Sequence, residues 1–490
     1  MLATVGLLSW SLSPTPLRLA EDLPASSFVR KVPLNGVEEL ADAVWLRLTE
    51  EPMSVAARFD YAGRRGAALS DFAGVELADD PASPTLALLP PQAMEPQPQL
   101  DAPPHVVLVV MESFATHMLR WHCREFDLLG RLAPHWERGW KFERFLPSDN
   151  GSAGSILSLA TNLPYRPGTK QLSQSEHARH AFPTSTARAF AAAGYETRFL
   201  YGGPLSWRRL GPFLDAQGFD EVAGLSAILG ESGLRAEDAS TEWGVFDEHL
   251  YAAAARRLRE AARPQFLILF TTTNHPPHEL PAGAAALPLD PPPELLARVE
   301  TLDPVQRKQF RTYQYACDQF GGFLDGLEVD GLLGRTLVAA TGDHTIGTGI
   351  RFSGSEVVLE RAVPFFLLPP AALAAQFRPD FARPGSHKDV VPTLLHLAGA
   401  ATSGYRGIGC SLLDEAAEHF AYNPEGLFLS RDAVLLEFEG GNGNLAWADP
   451  SGTAVRTVSE SAAHAALLRK ARAALALTDW IVHETLASEP

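Results

Sequence analysis

Three apolar runs end on residues able to hold a cation or move a proton. HVVLVVM (105–111) is followed by Glu112 and Ser113. QFLILF (265–270) leads through TTT to Asn274-His275-Pro276-Pro277, and RTLVAA (335–340) leads to Thr341-Gly342-Asp343-His344. Ligands of an open α/β sheet collect at the carboxyl ends of its strands, so these groups are expected to share one edge. Two carboxylates and an imidazole suit a divalent ion such as Zn or Mn. Side chains alternate faces along a strand, so Asp343 and His344 can serve one ion only where the chain has left the strand, which Gly342 permits. Taken singly, Glu112 reads equally well as a solvated strand end, and His275 or His344 as a hydrogen-bonded loop histidine. The convergence of all three segments is what favours a site.

A fourth segment, Ser148-Asp149-Asn150-Gly151-Ser152-Ala153-Gly154-Ser155, precedes the apolar run ILSLATNLP. Small residues and a hydroxyl open a helix there, and helix N-termini favour phosphate or an alkoxide. The plain alternative is an N-cap serine. A cation beside Ser152 would lower its pKa and make it a nucleophile, although the pattern alone does not choose between Ser152 and Ser155. No GxSxG elbow or GxxxxGK[ST] loop occurs.

Further runs, TRFLY (197–201) and VPFFLL (363–368), alternate with Ala-rich amphipathic stretches at 184–193, 247–262 and 306–327. That alternation predicts an α/β fold with a mostly parallel central sheet flanked by helices. Beyond about residue 420 the pattern becomes short alternating pieces with Gly, then a helix through 462–486, predicting a small C-terminal β-rich subdomain. The expected organisation is an N-terminal segment with a Pro-rich linker (1–104), a catalytic domain (105–420) and the C-terminal subdomain (421–490).

The 490 residues carry 41 Lys+Arg against 58 Asp+Glu, a net charge of −17. That balance excludes a nucleic-acid binder or a chain held to anionic lipid by basic residues alone. An anionic substrate is still compatible, because a bound cation reverses the local field. The three cysteines (Cys123, Cys317, Cys410) form no CxxC pair and no disulfide framework. No run reaches the roughly 20 apolar residues of a membrane-spanning helix.

With these residues in hand, the chain resembles the alkaline-phosphatase superfamily. Within it, the chain more closely resembles the sulfatase-like transferases that include lipoteichoic acid synthase and the bacterial phosphoglycerol and phosphoethanolamine transferases. The resemblance covers about residues 105–400. It rests on VVMES (109–113), NGS (150–152), LPYRPG (163–168), YGG with SWRR (201–209), WGVFDEHL (243–250), TTTNHPP (271–277), TGDH (341–344) and GSHKDVVPTLL (385–395). By position it implies that Glu112, Ser152, Asp343 and His344 hold one divalent metal ion, with Mn favoured over Mg or Zn. Ser152, where the family usually has threonine, would be the nucleophile. His275 would act on substrate and leaving group, Trp207 and Arg209 would line the headgroup pocket, and Asp247 would be structural. His387 departs from the family pattern and reads as structural or as touching the site. The C/S-x-P-x-R signature of formylglycine sulfatases is absent.

The resemblance implies a transferase that moves a phosphoglycerol or phosphoethanolamine headgroup from a phospholipid donor to a glycan or glycerophosphate acceptor at a membrane surface, through a covalent phospho-serine. A metal-dependent phosphodiesterase or phosphomonoesterase of the same superfamily is the alternative, and a silent binding module a third reading. Residues 13–45 resemble a juxtamembrane segment and Met1–Trp10 the end of a lost anchor helix. The implied location is the cell envelope, on the outer face of the cytoplasmic membrane, with this chain a soluble ectodomain.

Overall fold

A computed structural model describes residues 55–299, 302–347, 349–400, 404–438, 441–450 and 452–487. The juxtamembrane-like expectation for 1–45 lies outside them. The first described helix of any length is α1 (Arg65–Ala73). The chain then enters β1 (His105–Met111), whose valine-rich residues are all buried. β-Branched side chains stiffen extended backbone, and a run without polar alternation is stable only with both sheet faces covered. Next come β2 (Trp140–Phe142), β3 (Phe145–Leu146) and helix α2 (Ser152–Thr161). β4 (Glu196–Tyr201), β5 (Glu221–Ala223), α3 (Asp247–Glu260), β6 (Gln265–Phe270), α4 (Pro304–Val329) and β7 (Thr336–Gly342) follow. β8 (Phe365–Leu368), β9 (Gly385–Ser386) and α5 (Val390–Leu397) complete this part.

Seven strands form the central sheet in the order β2-β8-β7-β1-β6-β4-β5. The five from β7 to β5 are parallel, whereas β8 runs antiparallel to β7 and β2 antiparallel to β8. The sheet divides two cores. Val106, Leu108 and Val110 of β1 pack with Ile156 of α2, Phe190 and Val391 of α5. Val107, Val109 and Met111 pack on the other face with Leu250 and Leu258 of α3 and with Phe310 and Phe320 of α4. Because β1 lies between β7 and β6, Glu112 and Asp343-His344 leave neighbouring strands, with His275 on the strand beyond. The alternation of strands and helices read from the sequence becomes a shared edge through this order.

The C-terminal part is a five-stranded antiparallel meander of β10 (Phe420–Asn423), β11 (Leu427–Ser430), β12 (Val434–Phe438), β13 (Gly441–Trp447) and β14 (Val455–Thr457), followed by helix α6 (Ala462–Ala487). α6 is not confined to this sheet: it packs on β10, β11 and β12 and also reaches the main core. Its Leu475, Leu477 and Ile481 join Leu69 and Phe72 of α1 in the main core, and its Asp479 pairs with Arg166 in a buried contact. The Pro-rich stretch is not a free linker either. Leu89 and Met94 are buried, the Gln92 amide donates to the Tyr405 carbonyl at 2.8 Å, and the Met94 amide donates to Asp414 Oδ2 at 3.0 Å. Apolar residues scattered among the prolines supply the anchor points.

Buried histidines give this fold a pH signature. His117 is 1% exposed, its ring nitrogens have no hydrogen-bond partner among the described residues, and burial pulls its pKa down to about 4. An unfolded chain takes up that proton near pH 6.5, so acidification from 6.5 towards 4 favours unfolding, by up to about 1.4 kcal/mol per pH unit for such a residue. Thermal melts between pH 7.5 and 4.5 are expected to fall more steeply for the wild type than for His117→Phe, with the difference confined below pH 6.5.

Candidate active site

Glu112 and Ser113 turn sharply at the end of β1. Ser113 sits at φ 54°, a left-handed conformation that a non-glycine residue adopts only when its surroundings hold it there. Here the Ser113 amide donates to Asp343 Oδ1 at 2.8 Å and its hydroxyl to Glu112 Oε1 at 2.7 Å. The Glu112 amide donates to Thr271 Oγ1 at 3.0 Å, and the Asn274 side-chain amide donates to the Glu112 carbonyl at 3.1 Å. The loop after β6 thus braces the end of β1.

The Asp343 amide donates to the Met111 carbonyl at 3.2 Å. Its Oδ1 accepts from the Ser113 and His344 amides, both at 2.8 Å. Its Oδ2, fully buried, has no hydrogen-bond partner among the described residues and lies 3.4 Å from His344 Nε2. Glu112 Oε1 is 3.8 Å from the same nitrogen. His344 Nδ1 is 2.9 Å from the Thr345 carbonyl. A carbonyl only accepts, so Nδ1 carries the hydrogen and Nε2 turns its lone pair towards the carboxylates. Gly342 is required for a reason other than the expected one. Its φ is not positive, and a Cβ there would stand 2.3 Å from the Phe114 carbonyl oxygen, so close approach of β7 to the turn after Glu112 is what demands glycine.

The electrostatics point the same way. Burial, then the charge of Asp343, drives the Glu112 carboxyl well above its ordinary range. Burial pulls His344 down, but the Asp343 and Glu112 carboxylates outweigh it and raise it overall. Two buried carboxylates side by side with an orphaned oxygen and an imidazole lone pair ask for a positive charge between them. Their ligand atoms lie within 4.8 Å of one another, and this oxygen-and-nitrogen donor set fits a divalent cation.

Ser152 opens α2 behind an extended Gly151, and its Oγ is 3.2 Å from His344 Nε2. Ser155, which the helix-start pattern leaves equivalent and the family resemblance sets aside, turns away: it is fully buried and its hydroxyl is directed at the Asp149 carbonyl, 3.4 Å away. Asp149 caps the same helix start, accepting from the Asn150 amide at 2.8 Å and from Gly154, and burial raises its pKa. Glu112, Ser152, Asp343 and His344 are therefore brought together. His275 stands one strand further along, half-buried, with Nδ1 2.7 Å from the Pro276 carbonyl, so Nδ1 carries the hydrogen and Nε2 is left as the reactive nitrogen. Trp207 and Arg209 follow β4, the next strand. Trp207 packs at 6.2 Å from the ring of Tyr201, and Arg209, at φ 58°, is exposed. Neither is in direct contact with the carboxylates. Asp247 is fully buried, its Oδ1 accepting from the Thr272 and Thr273 amides (3.2 and 3.1 Å) and from the Thr273 hydroxyl (2.8 Å). It shapes the loop that carries His275.

Trp243 was missed as a site residue, although its motif WGVFDEHL stood out. Its ring lies 3.8 Å from that of His275 at 33°. Nothing in local sequence signals this contact, because residues 243 and 275 meet only when the loop before α3 folds over the end of β6.

An α/β sheet of this order, with a serine-bearing helix facing a carboxylate-imidazole cradle, defines the alkaline-phosphatase class of fold. The sulfatase family model matches residues 104–400, more than half the chain, and the chain belongs to the sulfatase family. It is similar to the lipoteichoic acid synthase-like protein YvgJ of Bacillus subtilis (strain 168), with 26% identity over 215 residues, 40% of this chain and 32% of that protein. The match thus spans about a third of that relative. Among solved structures it is similar to the lipoteichoic acid synthase LtaP of Listeria monocytogenes, with TM-score 0.65 and 18% identity over 85% of this chain and 98% of that one. A protein in the alkaline phosphatase superfamily from Vibrio parahaemolyticus gives TM-score 0.65 and 19% identity over 87% and 98%.

Close ring pairs contribute about 0.5–1.5 kcal/mol, a factor of roughly 2–10. Trp243→Ala is expected to lower turnover by about that factor while Trp243→Phe retains most of it, as measured by initial rates on a soluble phosphodiester. Unchanged rates in the Ala variant would reduce this ring contact to mere packing.

Proposed function

We propose that this chain is a metal-dependent phosphotransferase. It takes the phosphoglycerol or phosphoethanolamine headgroup of a phospholipid onto Ser152 and passes it to a hydroxyl of a glycan or glycerophosphate acceptor. The observation that carries this reading is the serine hydroxyl at a helix N-terminus, 3.2 Å from the imidazole of a cradle in which Asp343 Oδ2 has no hydrogen-bond partner among the described residues. Glu112, Asp343, His344 and Ser152 Oγ would hold the cation, Mn being favoured and Mg or Zn compatible. Such an ion supplies Lewis acidity and offsets the charge of a phosphate oxygen.

The chain's own groups account for the rest. The first-turn amides of α2 that Asp149 does not occupy hold phosphate oxygens and stabilise the Ser152 alkoxide, whose proton goes to solvent. Ser152 Oγ bonds to phosphorus, the bond from phosphorus to the diacylglycerol oxygen breaks, and His275, having taken a proton from solvent onto Nε2, passes it to that oxygen. In the return step His275 accepts the proton of the acceptor hydroxyl as the latter attacks phosphorus and Ser152 leaves. Trp207 and Arg209 hold the headgroup, with the guanidinium suited to phosphate oxygens. Among the described residues no helix is long and apolar enough to cross a membrane. The substrate chemistry puts the site at a membrane surface of the cell envelope, and the similarity to lipoteichoic acid synthase-like proteins supports the outer face.

The test is diacylglycerol release from vesicles of phosphatidylglycerol or phosphatidylethanolamine, with Mn, Mg or Zn supplied in turn. Release from one lipid only, abolished by chelation and lowered at least about 10³-fold in Ser152→Ala, is the expected result. Activity confined to soluble phosphodiesters, with water as acceptor, would replace the transferase by a hydrolase. Full activity in Ser152→Ala would remove the nucleophile.

A further inference from the structure

His387 is a buried histidine that the mechanism leaves unused. It sits in GSHKD (385–389), directly after β9, which pairs in parallel with β3, and is 1% exposed. Its ring lies against Phe145 at 6.0 Å. Nδ1 accepts the Ser148 amide at 3.2 Å. Nε2 is 2.9 Å from the Gly342 carbonyl, which can only accept, so the tautomer is settled: hydrogen on Nε2, lone pair on Nδ1. Ser148 lies four residues before Ser152, and Gly342 one residue before Asp343. The imidazole therefore spans the two loops that carry the serine and the cradle.

We propose that His387 is a positioning residue, which holds Ser152 in register with Asp343 and His344 by bridging their loops from beneath. This rests on the reading of Ser152 as nucleophile. The backbone around His387 is itself clamped. Asp389 accepts from the Ser386 amide at 2.9 Å and the Cys410 amide at 3.0 Å. Lys388 Nζ, fully buried, donates to both Asp389 oxygens (2.8 and 2.7 Å) and to the Phe420 carbonyl at 2.7 Å. A Cβ on Gly409 would stand 1.7 Å from the Lys388 carbonyl, so the clamp has no slack on that side. With its own segment fixed, a ring with one acceptor and one donor at opposite corners acts as a spacer of set length. Burial keeps the imidazole neutral, which preserves the acceptor that the Ser148 amide needs. A 1 Å error in the placement of a nucleophile can cost about 10²-fold in rate, so the contribution of such a spacer falls on turnover and not on binding.

The experiment compares wild type, Ser152→Ala, His387→Phe, His387→Asn and His387→Gln, scoring kcat and KM for diacylglycerol release per folded molecule, with melting temperature alongside. Asn restores an acceptor near the Nδ1 position and Gln a donor near Nε2. His387→Phe is expected to lose about 10–100-fold in kcat with KM within about twofold, and Asn and Gln each to recover part of that loss. If His387→Phe does not fold, the Asn and Gln variants carry the test, each expected to fall below wild type in kcat at unchanged KM. Lowered melting temperature with wild-type kcat per folded molecule in every His387 variant would overturn the bridge and leave the nucleophile standing. Full activity in Ser152→Ala would overturn the nucleophile and the bridge together.

Discussion

Two carboxylates buried side by side set the terms for everything around them. Removing an ionised carboxylate from water is costly, and placing a second beside it adds repulsion. Glu112 and Asp343 nevertheless stand at the ends of adjacent central strands, Asp343 with no exposure and Glu112 with 4%. Such an arrangement persists only if donors and positive charge converge on it. The Ser113 and His344 amides and the Ser113 hydroxyl supply part of that convergence, and Asp343 Oδ2, without a hydrogen-bond partner among the described residues, is where it falls short.

The backbone follows the same demand. Ser113 is held in a left-handed conformation by hydrogen bonds to both acids, and Gly342 is glycine because the turn after Glu112 crosses directly above it. Thr271 and Asn274 tie the loop of His275 to the backbone of Glu112, while Asp247 shapes that loop from the other side. The loops at this edge are thus braced against one another by polar contacts in a dry environment, where each hydrogen bond is stronger and each unmet one costlier than in water. Rigid placement is also what catalysis by positioning and electrostatics requires.

The rest of the chain supports this edge at a distance. The two faces of the sheet bury separate cores, so the strand ends cannot shift independently. α6 returns from the C-terminal meander to pack with α1 in the main core. Its Asp479 meets Arg166, which follows α2 by five residues, so the serine-bearing helix is stayed from behind as well as from the cradle.

The sequence by itself determined the strand-forming runs, the helices between them and the residues standing at the strand ends, because β-branched composition and apolar periodicity are local properties of the chain. Glu112, His275, Asp343 and His344 were legible for that reason, and the motifs shared with the sulfatase-like transferases pointed to Ser152, Trp207 and Arg209. Four matters were left to the tertiary structure. Strand order decided which acids are neighbours. The direction of the α2 turn sets Ser152 and not Ser155 beside His344, a choice that the helix-start pattern leaves open and only the family motif makes within the sequence. The contacts of Trp243 with His275, and of His387 with Ser148 and Gly342, join residues 32 to 239 positions apart, which no local pattern encodes. The Pro-rich stretch and the terminal helix read locally as a linker and as the end of the C-terminal subdomain, and became part of the core because a few leucines and one buried ion pair found partners hundreds of residues away.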